Sequence, residues 1–165
     1  MPVFGLNNGV IPIVAYNYGA KRKDRMLRTI KCSMVVAFCL TLLGFVVMET
    51  IPGPLLLLFD ASESMLAIGI PALRKMAFHF LIAWFCIVAG SVFQAVGNGM
   101  YSLYVSVARQ LVVLLPVAYL LSKLGGLDLI WWSFPIAELM SGLISGICLL
   151  LTYKKVIAPM PDVQQ

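Results

Sequence analysis

Long apolar runs broken by short polar punctuation fill this chain, and the length of each run predicts its role. Residues 32–51 form a run of about 20 residues, which as a helix rises about 30 Å, the thickness of a bilayer's hydrocarbon core. Pro52, Gly53 and Pro54 stop it. Residues 55–59 are too few to cross, and the polar stretch 60–64 predicts an outer loop. Residues 65–75 read as an interfacial helix ending on Arg74 and Lys75. Three further spans follow, over residues 76–96, 103–121 and 129–152, with a turn at 122–128 between the last two. Residues 1–20 make the weakest span, because Gly5, Asn7, Asn8, Gly9 and Pro12 interrupt it. Each polar group at bilayer depth must find a protein partner, so this segment belongs inside a bundle. The pattern predicts an all-α integral membrane protein of about five transmembrane helices, with one transmembrane unit over 1–155 and a cytoplasmic tail over 156–165.

Composition agrees. The 165 residues are 61% hydrophobic and 12% charged, against about 45–50% and about 25% in a soluble domain. A mean hydropathy of +0.97 leaves more apolar surface than a soluble core of this size can hide. The net charge of +5 does not describe a nucleic-acid-binding face, because half the basic residues cluster beside hydrophobic spans: Lys21, Arg22, Lys23, Arg25, Arg28 and Lys31. Such clusters mark the cytoplasmic side of a plasma (inner) membrane protein. With Lys154 and Lys155 they outnumber Arg74, Lys75 and Lys123 on the opposite side, which predicts an outer N-terminus and a cytoplasmic C-terminus. No basic n-region with a cleavage site predicts a secretory signal.

Enzyme signatures are absent from the sequence: there is no HExxH, no GxSxG, no phosphate-binding loop and no Cys/His metal cluster. The expectation is a protein that is not an enzyme and holds no metal. Cys32, Cys39, Cys86 and Cys148 sit in apolar runs without paired spacing and read as small buried residues. Polar groups inside spans carry the remaining chemistry. His79, Ala83, Ile87, Gly90, Ser91, Gln94, Gly97 and Asn98 recur at spacings of three and four, a largely small and polar helical face. That face suits either a substrate cavity, with His79, Ser91, Gln94 and Asn98 as its polar contacts, or close helix packing. Glu138 shares a face with Ser141, Gly142 and Ser145, and Gly142 with Gly146 makes a GxxxG. It reads as a titrating group coupled to proton movement or as a structural partner of Arg109 or Ser133. Arg109 reads as an interfacial anchor or an ion-pair partner. Tyr16 and Tyr18 fit an aromatic belt, and Asn17 and Gly19 fit a helix end in the left-handed conformation.

Four short motifs bring a family into view: residues 12–21 (PIVAYNYGAK), 93–98 (FQAVGN), 107–110 (VARQ) and 134–138 (FPIAE). In this order they resemble the end of the eighth helix and parts of the tenth, eleventh and twelfth helices of bacterial MATE (multidrug and toxic compound extrusion) transporters. The resemblance covers nearly the whole chain, to about Lys155, and implies an incomplete C-terminal lobe of a two-lobe, twelve-helix fold. It implies secondary active efflux of cationic or amphipathic drugs and toxins by antiport with sodium ions or protons, through rocking of two lobes about a central cavity. The partners so implied are the lipid bilayer, a cationic small molecule, and an N-terminal lobe with helix seven that this chain lacks; no nucleic acid is implied. Residues 76–98 contain no Asp or Glu, so the family's acidic coupling residues have no counterpart there. Two functions follow as expectations: part of an antiporter, or a short membrane subunit or inactive half that needs a partner lobe.

Overall fold

The computed structural model describes residues 2–160, and every regular element among them is helical. Met1, and residues 161–165 of the expected tail, lie outside the described residues. The elements are α1 (Pro2–Gly19), α2 (Lys23–Thr50), α3 (Pro52–Leu57), α4 (Glu63–Ala77), α5 (Phe80–Ala95), α6 (Gly99–Val107), a π-helical segment (Ala108–Leu114), α7 (Leu115–Ile130), α8 (Ser133–Thr152) and a closing π-helical turn (Tyr153–Ile157). By length and composition three helical stretches can cross a membrane: Lys23–Thr50, Gly99–Ile130 and Ser133–Ile157. α4 and α5 meet at a 54° bend and count as a fourth if they form one broken span. α1 is the fifth expected span and is not among these, because its Asn and Gly residues dilute its apolar run. It packs instead against α2 and α5.

Turn chemistry fixes how the helices reverse. At the end of α1, Arg22 N–H donates to Asn17 O at 2.9 Å and Lys21 N–H to Tyr18 O at 3.0 Å. That pair of bonds is a Schellman motif, with Lys21 in its left-handed position at φ 55°. The expectation that Asn17 or Gly19 takes this conformation is therefore corrected. α1 runs on through Gly19, and Asn17 is buried with its Nδ2 donating to Ile13 O at 2.8 Å. A lysine in this slot costs on the order of 1 kcal/mol more than glycine. The same motif closes α5, where Asn98 N–H donates to Phe93 O at 2.8 Å and Gly97 takes φ 82° without that cost. α7 breaks at Gly125 and Gly126, within the turn the sequence predicts.

The packing is inverted relative to a soluble protein. On α8 the buried side chains include Ser133, Glu138, Ser141, Ser145 and Thr152, while Leu139, Leu143, Ile147 and Leu150 face outward. Apolar groups gain nothing by leaving lipid, whereas every polar group must find a protein partner. An apolar core still exists. Val10 and Val14 of α1, Met26, Ile30 and Ala37 of α2, Val88, Val92 and Ala95 of α5, and Ile157 at the closing turn form one cluster. Ile157 thus ties the start of the expected tail to the bundle. Cys32 and Cys39 correct another expectation, since both lie exposed on the outer surface; Cys86 and Cys148 are half-buried.

The two ends of the bundle differ in charge. Lys21 and the segment from Val156 to Met160 border one cleft, so the α1–α2 turn and the closing turn share an end. At the other end Arg74 Nε lies 4.0 Å from Glu49 Oε2, and Lys75 Nζ 3.1 Å from Asp128 Oδ1. Arg74 and Lys75 at that end thus have acidic neighbours. At the first end, Asp24 is the one acid among the described residues, against eight cations.

Gly142 lets α8 approach α5. A Cβ added there would lie 3.0 Å from Ile82 Cγ2, whereas one added at Gly146 would meet Phe85 at 3.9 Å. Gly142→Leu is expected to overpack this interface and destabilise the protein by about 1–3 kcal/mol, with Gly146→Ala near neutral. Thermal unfolding in detergent checks the difference, and equal stability of the two variants would contradict the packing described.

Candidate functional site

A polar cavity of about 170 Å³ lies between α1, α5, α6 and α8. Helical spacing builds its walls. α5 supplies the adjacent Gly90 and Ser91 with Gln94 one turn on, and α6 supplies Ser102 and Ser106, with Arg109 three residues further on the same face. α8 contributes Ser141 and Ser145, and α1 contributes Asn7. Gln94 Nε2 donates to Ser102 Oγ at 3.2 Å and joins two of the walls. Ser91 Oγ–H donates back to Ile87 O at 3.1 Å within its own helix.

An intramembrane ion pair borders this cavity. Arg109 Nη1 donates to Glu138 Oε2 at 3.1 Å, with the Glu138 side chain 5% and the Arg109 side chain 39% exposed. Arg109 stands 11 residues beyond Asn98, or about 16 Å along the helix, close to the middle of a span. It is therefore not the interfacial anchor that its sequence position suggested, and ion pairing is what the structure shows. The π-helical segment Ala108–Leu114 begins beside it. Such wide turns accommodate an extra residue and occur often at functional sites.

Several buried oxygens here have no hydrogen-bond partner, among them Glu138 Oε1, Asn7 Oδ1 and Ser145 Oγ. Buried polar atoms left in this way are those that water or a polar ligand satisfies. The wall thus offers hydroxyls, amides and a charge-balanced pair rather than a set of carboxylates. Among the described residues no group of three or more His, Cys, Asp or Glu side chains converges.

Of the four predicted contacts, Ser91 and Gln94 line the cavity. His79 does not. It sits at the α4–α5 bend, its Nδ1 2.5 Å from Met76 O, about 18 Å along the helix from Ser91. Asn98 lies in the turn between α5 and α6 and is not among the lining residues. The basic cluster Lys21, Arg22, Lys23, Arg25, Arg28 and Lys31 stays at the α1–α2 end, away from the cavity. Sequence reasoning missed Ser102, Ser106 and Asn7 as wall residues. The 102–106–109 spacing of the first two with Arg109 was a usable signal; nothing local distinguished Asn7 from Asn8.

The geometry can be set beside known proteins. A family model described as MatE matches residues 1–120. Multidrug export protein MepA of Staphylococcus haemolyticus (strain JCSC1435) is 27% identical over 136 residues, which is 82% of this chain and 30% of that protein. The MepA of Staphylococcus aureus (strain bovine RF122 / ET3-1) is 26% identical over the same extent. The chain spans 30% of the length of these curated relatives. An inward-facing multidrug resistance MATE family transporter of the MOP superfamily matches with a TM-score of 0.88 and 18% identity, over 97% of this chain and 38% of that one.

Removing one member of the ion pair leaves the other buried and unbalanced. Arg109→Met alone, like Glu138→Leu alone, is expected to destabilise the protein by about 3 kcal/mol, the low end for a broken buried pair because Arg109 is partly exposed. Arg109→Met combined with Glu138→Leu is expected to recover most of that loss. Unfolding midpoints of the two single variants and the double variant form the cycle, and strictly additive losses would show that the pair is not coupled.

Proposed function

This chain belongs to the MatE family, and from that premise we propose that it supplies part of a secondary active exporter of cationic or amphipathic compounds. The observation that carries the proposal is a half-open cavity, lined by serines, amides and Arg109 among apolar side chains, between helices whose outer surfaces are apolar. A site at bilayer depth with unpartnered oxygens suits a polar or cationic compound that must leave water without losing its hydrogen bonds. The relatives' name, multidrug export protein, agrees with that use. Family members are transporters rather than enzymes, and the reading assigns the cavity to binding. Exchange against sodium ions or protons supplies the driving force. We assign Glu138 to holding the cavity wall through Arg109, and place ion coupling in helices outside this chain.

Alternating access requires two halves that move against each other. The proposal therefore includes a partner lobe, encoded in the same protein or separately. Gly5 and Gly9 of α1 favour a close helix neighbour, since a Cβ at either position would meet nothing within 4 Å.

Efflux of a cationic dye from proteoliposomes tests the reading, with imposed sodium or proton gradients and the complementary lobe present. Gln94→Ala is expected to lower kcat/KM roughly five- to tenfold, the equivalent of losing one hydrogen bond of about 1 kcal/mol. Dye efflux that ignores both gradients would end the antiport reading. Efflux by the 165-residue chain alone would end the requirement for a second lobe.

The basic end is proposed to face the cytoplasm, as the positive-inside rule has it. Arg25→Cys and Asp60→Cys, each in a background with the four native cysteines changed to alanine, probe opposite ends. A membrane-impermeant maleimide is expected to label Asp60→Cys in intact cells and Arg25→Cys only after permeabilisation. The reverse pattern would invert the topology.

A further inference from the structure

We propose that the cleft between the α1–α2 turn and the closing π-helical turn binds the headgroup of an anionic phospholipid, with Lys21 as its principal contact. The cleft has a volume of about 410 Å³ and is lined by Tyr18, Gly19, Lys21, Val156, Pro159 and Met160. Its walls combine a cation and a phenol with apolar side chains, as the junction of a phosphate and its glycerol backbone requires. Lys154 and Lys155 stand exposed on the adjoining π-helical turn, and Arg22 follows Lys21. Charge complementarity selects the occupant, because Asp24 is the one acid at this end among the described residues. Basic pockets between helices at the cytoplasmic surface are suited to anionic headgroups.

Two observations separate this cleft from the general positive charge of a cytoplasmic end. Ile157 is buried in the same core cluster as Val10, Val14, Met26 and Ile30, and Met160 packs on that cluster, so the segment that walls the cleft is anchored to the core. Lys21 also occupies the left-handed slot of the Schellman motif, where glycine is free of strain. The strained backbone places a cation where the turn borders the cleft, beside Tyr18 and Gly19, which carry no charge. The inference rests on the membrane placement of this end and not on transport, and the maleimide labelling described above reports that placement separately.

Native mass spectrometry of the detergent-solubilised protein, titrated with phosphatidylglycerol and with phosphatidylcholine, tests it. One saturable phosphatidylglycerol adduct is expected, bound at least about fivefold more tightly than phosphatidylcholine, the effect of a single cation near an anionic lipid surface. Lys21→Gly is expected to weaken phosphatidylglycerol binding about fivefold while raising the melting temperature, since it removes charge and strain together. Lys21→Gln is expected to weaken binding equally without the stability gain. Lys31→Gln, on α2 and away from the cleft, is expected to bind as the parent does. Unchanged binding in both Lys21 variants overturns the proposal, as does equal affinity for the two lipids. Displacement of the adduct by millimolar inorganic phosphate overturns the choice of a lipid over a free anion.

Discussion

A polar group in hydrocarbon must be satisfied by protein, and the arrangement of this bundle follows from that constraint. It explains why α8 buries Glu138 and its serines and turns Leu139, Leu143, Ile147 and Leu150 outward. It explains why Arg109, near mid-span, reaches Glu138 at 3.1 Å instead of extending to a surface. Extending a guanidinium across half a hydrocarbon core is beyond the side chain's length; one carboxylate on the neighbouring helix balances its charge in place. The pair and the serines then border a half-open space between helices whose outer surfaces are apolar. Cavity and stability therefore depend on the same few side chains.

The constraint also assigns α1 its place. Its Asn7 cannot face lipid without losing hydrogen bonds, and in the bundle it lines the cavity. Asn17 is satisfied within its own helix, by Ile13 O. A segment too polar to be a stable lone span becomes a wall of the site through Asn7, while Asn8 stays exposed on the outer surface.

Much of the fold was legible from the sequence because hydrophobic runs and their breakers act locally. Pro52, the Gly125–Gly126 turn and the basic residues after α1 punctuate the structure where the sequence places them. The candidate site was legible by halves. The α5 face with Ser91 and Gln94, and the α8 face with Glu138, Ser141 and Ser145, each followed from helical spacing. That the two faces border one cavity, and that Arg109 rather than Ser133 meets Glu138, depends on packing between helices distant in sequence, which periodicity does not encode. His79 shows the opposite failure: it has the right spacing on a continuous helix, but the helix bends beside it. A face argument holds only as far as the helix stays straight.

Charge orders the ends as polarity orders the interior. Arg74 and Lys75 lie beside acids at one end, and solvent screens such exposed pairs, so they contribute little to stability. At the other end eight cations outnumber one acid among the described residues, an excess of positive charge at one surface of the bundle. Negative charge from outside the chain relieves it most directly, and the membrane surface carries such charge at high density. Lys21 adds a backbone argument to the electrostatic one. The turn forms the same two hydrogen bonds at Gly97 without strain, so the geometry of reversal does not demand a lysine. What distinguishes the two turns is position, since the α1 turn borders a cleft walled by the closing segment. The side chain, rather than the fold of the turn, is what the strain at Lys21 supports.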